Sequence, residues 1–301
     1  MKQKQIMNIL SKDVRQIFEK IRLDYDGLQE IRLRIGHPVI IYVGGKEVIS
    51  DLIATEQTVK ETLDYVSSYS LYAYENELRQ GFITVEGGHR VGVVGQAILE
   101  CGHVKNLKQI GALNIRVSHE ILNCADSLFP YLTFQKKLYH TMIISPPRSG
   151  KTTLLRDLIR QISNGNRWIT GSTVGVVDER SELAGCYRGV PQNQMGMRTD
   201  VLDACPKAEG MMMLVRSMSP EVIAVDEVGA MEDVQAIKYA MHCGCKMLAT
   251  VHGESMDEIK KKPLFLELLH DKCFERYVIL HNKERVGQIK EILDQEGKNL
   301  W

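Results

Sequence analysis

Nine consecutive residues in the middle of the chain have the types and order needed to bind phosphate. They follow the apolar run 142–144 and are Ser145, Pro146, Pro147, Arg148, Ser149, Gly150, Lys151, Thr152 and Thr153. In such a loop the backbone amides and the lysine contact the phosphates of a nucleotide, while the hydroxyl of Thr152 binds Mg²⁺. Ser145 replaces the usual first glycine, and we expect it to strain the loop because glycine permits backbone angles that serine resists. The alternative for this string alone is a surface turn that contains Gly-Lys-Thr by chance.

Two acidic residues, Asp226 and Glu227, follow a second apolar run at 222–225. Four apolar residues in a row indicate a buried strand, and ligands of open α/β sheets bind at the carboxyl ends of the strands. Asp226 is then able to accept a hydrogen bond from Thr152 or from a Mg²⁺-bound water, so Thr152 and Asp226 are the predicted metal-binding residues. Glu227 is the predicted base that orients and deprotonates the attacking water. The alternative is an exposed acidic turn after a core strand.

Two further strand ends carry candidate residues. The run 174–177 ends in Asp178 and Glu179, which predicts four carboxylates near one phosphate site and makes Glu179 the second candidate for the base. Such a cluster needs Mg²⁺ or arginines to be tolerated. The alternative for Asp178 is a cap on the next helix. The run 247–250 leads to His252, predicted to donate to the γ-phosphate, with a solvent-facing loop histidine as the alternative.

These residues require a sheet that brings strand ends together. From residue 139 onward, short apolar runs alternate with helix-length amphipathic segments, which predicts an α/β domain with a mostly parallel sheet over residues 131–301. The chain ends in a predicted hairpin with its turn at Asn282 and Lys283. Residues 1–130 are predicted to form a smaller α+β domain, with one hairpin of strands 31–35 and 39–43, a second of strands 81–85 and 87–95, and an amphipathic helix over 58–74.

Composition excludes several classes of protein. The chain of 301 residues has 38 Lys+Arg and 38 Asp+Glu, so its net charge is zero, and it offers no general electrostatic attraction for nucleic acid or anionic lipid. The N-terminus lacks the apolar region of a secretory signal, and the seven cysteines are odd in number and scattered. We therefore expect reduced thiols and a cytoplasmic location. The run Lys260, Lys261 and Lys262 is predicted to be a solvated charge run.

The order phosphate loop, Asp178-Glu179, Asp226-Glu227, Thr250-Val-His252-Gly resembles that of the secretion-type P-loop ATPases, the motors of type II and type IV secretion and pilus systems. More closely, the stretches 176–185, 198–210 and 218–227 resemble the stage III sporulation AA family of endospore-forming bacteria. This resemblance implies a RecA-like ATPase domain that binds ATP and Mg²⁺, assembled as a hexamer. It also implies that the N-terminal domain lends Arg90 and Arg116 to the nucleotide.

The same resemblance implies a role: a motor that energises the mother-cell-to-forespore channel, peripheral at the membrane through channel proteins. Two other functions stay open. One is a nucleotide-dependent scaffold of that channel that does not hydrolyse ATP, suggested by Ser145. The other is a RecA-like ATPase that handles DNA, which should concentrate basic side chains, whereas no such excess is present and no nucleic acid is expected.

Overall fold

The computed structural model describes residues 2–20, 24–281 and 287–301. The described chain divides into two compact units. The N-terminal unit is Met1–His119 together with Gly185–Gln192, and the C-terminal unit is Glu120–Ala184 together with Asn193–Trp301. The domain bounds 1–130 and 131–301 stay a prediction from the sequence.

The N-terminal unit is an antiparallel sheet packed against helices. Within the described residues its strands have the order β3-β2-β1-β6-β5-β4. The strands are β1 (Leu28–Arg34), β2 (Pro38–Val43), β3 (Lys46–Ile53), β4 (Phe82–Val85), β5 (His89–Glu100) and β6 (His103–Arg116). The helices are α1 (Lys2–Ile9), α2 (Lys12–Lys20), α3 (Glu56–Val66) and α4 (Glu75–Arg79), with a 3₁₀ turn at Leu71–Tyr74. The α+β class predicted for this part of the chain is confirmed.

The predicted helix over 58–74 is wrong in its extent. Helix α3 begins after Thr55, whose side chain accepts from the amide of Thr58 in a capping box. It ends at Val66 because Ser68 and Tyr69 adopt left-handed backbone angles, with φ of 50° and 61°. Both predicted hairpins are present, as β1–β2 and β4–β5. Strand β6 pairs with both β1 and β5, and its extent was not predicted from the sequence.

The C-terminal unit is built on a mostly parallel sheet, as predicted. In the described part of this unit the strand order is β11-β10-β12-β13-β9-β14-β15. The strands are β9 (Thr141–Ser145), β10 (Val174–Asp178), β11 (Thr199–Asp203), β12 (Val222–Val225), β13 (Lys246–His252), β14 (Arg276–Leu280) and β15 (Ile289–Asp294), with a separate pair β7 (Thr133–Phe134) and β8 (Lys137–Leu138). The helices are α5 (Phe129–Leu132), α6 (Lys151–Asn164), α7 (Lys207–Ser217), α8 (Met231–His242), α9 (Met256–Lys261) and α10 (Leu266–His270).

The sequence of the central strands explains their place in the sheet. Every residue of β9, β10 and β12 is buried, because helices cover both faces of a parallel sheet. Strands β10, β12, β13 and β9 pair in parallel, so their carboxyl ends lie at one edge. The terminal hairpin is present as antiparallel β14–β15. Its turn at Asn282 and Lys283 lies outside the described residues. None of the helices described here is long and apolar enough to span a lipid bilayer.

Candidate nucleotide site

The phosphate loop joins β9 to α6 at the carboxyl edge of the parallel sheet. Arg148 and Gly150 have left-handed backbone angles, with φ of 62° and 85°, and α6 begins at Lys151. Ser149 is 4% exposed, and its hydroxyl has no hydrogen-bond partner among the described residues. A buried hydroxyl without a partner is costly in a folded protein and marks a position suited to a polar ligand. The loop therefore has the conformation of a strand-to-helix anion site.

The strain expected at Ser145 is not found. Ser145 is the last residue of β9, is fully buried, and is not among the described residues with a positive φ. Its hydroxyl donates to the carbonyl oxygen of Pro146 at 2.8 Å. Serine is compatible with this position because extended backbone is open to any residue. The left-handed angles that favour glycine occur later in the loop.

Asp226 contacts polar groups of two other elements, α6 and β13. Its Oδ2 accepts from the hydroxyl of Thr152 at 2.8 Å, and its Oδ1 lies 3.4 Å from Nζ of Lys151. The hydroxyl of Thr250, on β13, also donates to Oδ1 of Asp226. Lys151 is 7% exposed, so this ion pair is largely withdrawn from water. The loop lysine, the loop hydroxyl and the acid at the end of β12 are thus brought together.

Glu227 is held at the mouth of the same site by an unusual backbone conformation. Its φ is 58°, a left-handed angle that costs about 1 kcal/mol or more for a residue with a β-carbon. The amide of Glu227 donates to Thr250 Oγ1 at 2.8 Å. Its carboxylate accepts from Nη1 of Arg180 at 2.8 Å and lies 3.5 Å from Nε2 of His252. The turn therefore directs the carboxylate between an arginine and a histidine from two other strand ends.

These side chains border one open cleft of about 500 Å³. The residues that line it are Pro146, Pro147, Arg148, Gly150, Lys151, Thr152, Thr153, Arg180, Glu182, Asp226, Glu227 and His252. Most of the predicted loop residues, both acids after β12 and the predicted histidine are therefore on one surface. The predicted loop residues Ser145 and Ser149 are buried and do not line the cleft.

Asp178 and Glu179 do not line this cleft, but together with Asp226 and Glu227 they border a small neighbouring cavity. Asp178 is 3% exposed, and its oxygens accept from the amides of Glu182 and Ala184, each at 2.8 Å. Burial raises the pKa of Asp178, and these hydrogen bonds oppose the rise. Glu179 forms an ion pair with Lys207 of α7. The four predicted carboxylates are therefore neighbours, and their part in a phosphate site stays a prediction. Asp178 caps the backbone of a turn, close to the alternative considered for it.

Arg90 and Arg116 lie in the N-terminal unit. They face each other as a cross-strand pair on β5 and β6. The guanidinium of Arg90 stacks on the ring of Phe82 at 3.8 Å, whereas Arg116 is exposed. Their contribution to a nucleotide site stays a prediction.

Three residues of the site were not assigned a role from the sequence. Thr250 bridges both acids, Arg180 contacts Glu227, and Arg156 fixes the turn that carries Arg180. Nε and Nη2 of Arg156 donate to the carbonyls of Leu183 and Glu182 at 2.6 and 2.7 Å. The sequence offers one indication of a role for two of these residues. Thr250 lies two residues before His252, and Arg180 lies two residues after Asp178. Their partners lie on other strands, so no local pattern identifies them.

The family of this chain follows from its sequence. The family described as Sporulation stage III, protein AA matches residues 1–300. The chain belongs to the sporulation stage III protein AA family. A member from Bacillus subtilis strain 168, Stage III sporulation protein AA, is 45% identical over 273 residues, which cover 91% of this chain and 89% of that protein. The resemblance inferred from residues 176–227 is confirmed.

The fold of this family member is shared with solved secretion ATPases. The ATPase DotB of Yersinia pseudotuberculosis has a TM-score of 0.61 over 94% of this chain and 78% of its own, with 16% identity. The pilus retraction motor PilT, solved with ADP, has a TM-score of 0.59 over 94% of this chain and 82% of its own, also with 16% identity. At this identity the likeness shows the fold, and the predicted RecA-like class is confirmed.

Proposed function

We propose that this protein is an ATP-hydrolysing motor of the secretion-ATPase type. The observation that carries the proposal is the convergence of Lys151, Thr152, Asp226 and Glu227 on one cleft at the carboxyl edge of a parallel sheet. A cation, a hydroxyl, a carboxylate paired with both, and a second carboxylate held apart are the parts that phosphoryl transfer requires. The alternative of an exposed acidic turn does not account for the contacts of Asp226 with Lys151 and Thr152.

The residues of the cleft fit ATP and Mg²⁺. Gly150 lines the cleft, and its left-handed backbone suits close approach of a bound phosphate. Thr152 and Asp226 supply the oxygen ligands that Mg²⁺ prefers, and they already contact each other. Bound Mg²⁺ offsets negative charge on the phosphate oxygens. The loop amides and Lys151 then orient the triphosphate.

Glu227 is the residue best placed to act as the base. Its carboxylate lines the cleft, whereas Glu179 is paired with Lys207 outside it. In hydrolysis the water oxygen bonds to the γ-phosphorus, the bond to the β–γ bridging oxygen breaks, and Glu227 takes the proton. Arg180 and His252 hold the Glu227 carboxylate in place, and His252 is able to donate to the γ-phosphate.

The cellular role of the proposed motor follows from the family. A relative named Stage III sporulation protein AA supports a function in sporulation. We infer that a cytoplasmic hexamer energises the channel between mother cell and forespore by docking on its membrane proteins. A chain without net charge favours protein partners over nucleic acid.

Two substitutions test the enzymatic part of the proposal. Lys151→Ala removes the loop's cation and should abolish both ATP binding and turnover. Glu227→Gln keeps size and hydrogen bonding but removes the base, so ATP should bind while turnover falls at least about 100-fold. Binding is measured with a fluorescent ATP analogue and turnover by phosphate release.

Lys260→Ala, at an exposed position of α9 outside the cleft, is the matched control for loss of a lysine. If Lys151→Ala bound ATP as well as the unmodified protein does, the assignment of this loop to the nucleotide site would be wrong. ATP binding without hydrolysis in the unmodified protein would instead favour the scaffold.

A further inference from the structure

The three consecutive lysines after β13 do not behave alike, and the prediction of a solvated charge run is wrong for one of them. Lys260 and Lys261 are exposed, and Lys260 only approaches Asp257 at 3.8 Å. Lys262 turns back instead: its Nζ donates to the backbone carbonyl of His252 at 2.7 Å and pairs with Oε1 of Glu258 at 2.8 Å.

Lys262 thereby links the end of α9 to the end of β13, on either side of the segment that joins them. The other carboxylate oxygen of Glu258 accepts from the amide of Glu254 at 2.7 Å, and Ser255 caps α9 through the amide of Glu258. Lys262 and Glu258 together hold residues 252–255 from the side of α9. A charge-assisted hydrogen bond to a carbonyl is stronger than a neutral one and fixes the direction of that peptide.

The residue whose carbonyl Lys262 contacts is the histidine that faces the proposed base. His252 pairs in register with Ser145, and the next amide, that of Gly253, donates to Ser145 at 3.2 Å. Nδ1 of His252 is buried and has no hydrogen-bond partner in the described structure. Hydrogen bonding at Nδ1 therefore does not orient the ring. Its placement 3.5 Å from Glu227 depends on the backbone, which β9 holds on one side and Lys262 on the other.

We propose that Lys262 is a positioning residue for catalysis that acts through His252. This inference rests on the proposed function, because it assigns Lys262 a part in hydrolysis. Lys262 is not among the residues that line the cleft, so its loss should leave nucleotide affinity unchanged. Its loss frees the carbonyl of His252 and loosens the ring relative to Glu227. Displacements of about 1 Å in an active site lower rates by up to about 100-fold.

The test compares variants of the full-length protein in steady-state ATP hydrolysis. Lys262→Met keeps the length of the side chain but removes its charge, and we expect kcat to fall about tenfold with KM unchanged. Lys260→Met and Lys261→Met are matched controls in the same run and should keep the unmodified rate. Lys262→Arg retains a cation that reaches the carbonyl and should restore most of kcat. Thermal unfolding of each variant reports whether the fold is intact.

A double-mutant cycle with His252→Ala separates positioning from a general structural role. If Lys262 acts through His252, Lys262→Met lowers kcat no further once His252 is alanine. Additive losses, or a loss equal to that of Lys260→Met, would overturn the inference while hydrolysis by the unmodified protein upheld the proposed function. Should Lys262→Met fold poorly, Glu258→Gln removes the other half of the ion pair and is expected to lower kcat in the same way. An unmodified protein that binds ATP without hydrolysing it would overturn both.

Discussion

At the scale of single residues, Thr250 explains how the adjacent acids Asp226 and Glu227 come to face different partners. Its hydroxyl donates to Asp226 and accepts from the amide of Glu227, so one buried side chain fixes both. Asp226 is turned toward Lys151 and Thr152, while the left-handed angle at Glu227 sends its carboxylate out to Arg180. Strained angles of this kind persist where the surroundings hold them, and here they separate the proposed metal ligand from the proposed base.

The backbone of the phosphate loop leads to a prediction about two of its residues. Ser145→Gly relieves no strained angle, so ATP affinity should stay within about threefold, and stability should fall by about 0.5–1 kcal/mol because glycine weakens a strand. Gly150→Ala places a β-carbon at a φ of 85° and should cost about 1–2 kcal/mol and lower the affinity at least tenfold. Isothermal titration with ATP and urea unfolding measure both effects. Tighter ATP binding by Ser145→Gly would show that Ser145 strains the loop after all.

At the scale of elements, β5 of the N-terminal unit carries a buried histidine. His89 is 1% exposed, and its Nδ1 accepts from the amide of Ser118 at 3.0 Å. Burial lowers the pKa of His89 to about 4, and the charges of Lys2 and His119 act in the same direction. The folded protein therefore holds this ring neutral, whereas the unfolded chain takes up the proton at the ordinary pKa of 6.5.

The stability of the protein should consequently fall in acid through His89. As the pH drops from about 6.5 to 4, the unfolded state binds one more proton than the folded state, which costs up to about 3 kcal/mol. His89→Asn keeps an acceptor for the Ser118 amide but does not titrate, so the pH dependence of unfolding in this window should weaken by about one proton. Urea unfolding at several pH values measures the slope.

His103→Asn, at the exposed first residue of β6, is the control for this experiment and should leave the slope unchanged. An identical slope in His89→Asn and the unmodified protein would show that His89 is protonated in the folded state.

At the scale of the whole molecule, the arginines that the described structure places at the cleft belong to one of the two units. These arginines, Arg148 and Arg180, come from the C-terminal unit. The family resemblance assigns Arg90 and Arg116 to the nucleotide, and an arginine supplied by another domain or subunit is able to raise turnover 10³-fold or more. Activity that depends on assembly is therefore expected.

Turnover per subunit should rise with protein concentration until the proposed hexamer is complete. Arg116→Ala should lower kcat at least about tenfold at saturating ATP, and Arg116→Lys should not restore it, because lysine lacks the planar fork of arginine. Phosphate release combined with light scattering follows rate and assembly together. Full activity in the Arg90→Ala, Arg116→Ala double variant would show that neither arginine contributes to hydrolysis.

Local features of this protein could be predicted from its sequence. Apolar runs predicted the central strands, and the string at 145–153 predicted the loop between a strand and a helix, because both depend on neighbours along the chain. The extent of α3 was predicted wrongly because left-handed backbone angles at Ser68 and Tyr69 end the helix. No pattern in the sequence predicts those angles. The extent of β6 was not predicted because its exposed half is polar and irregular.

Partnerships across the sheet were decided by the tertiary structure alone. The sequence placed acids at the ends of β10 and β12, but only the strand order brought Asp226 beside Lys151 and Thr152 of the loop. Likewise, the sequence does not distinguish Lys260, Lys261 and Lys262 from one another. Lys262 reaches the carbonyl of His252 only because α9 folds back toward the end of β13. A hydrogen bond selects its partner by distance and angle, and those are set by how strands distant in sequence are brought side by side.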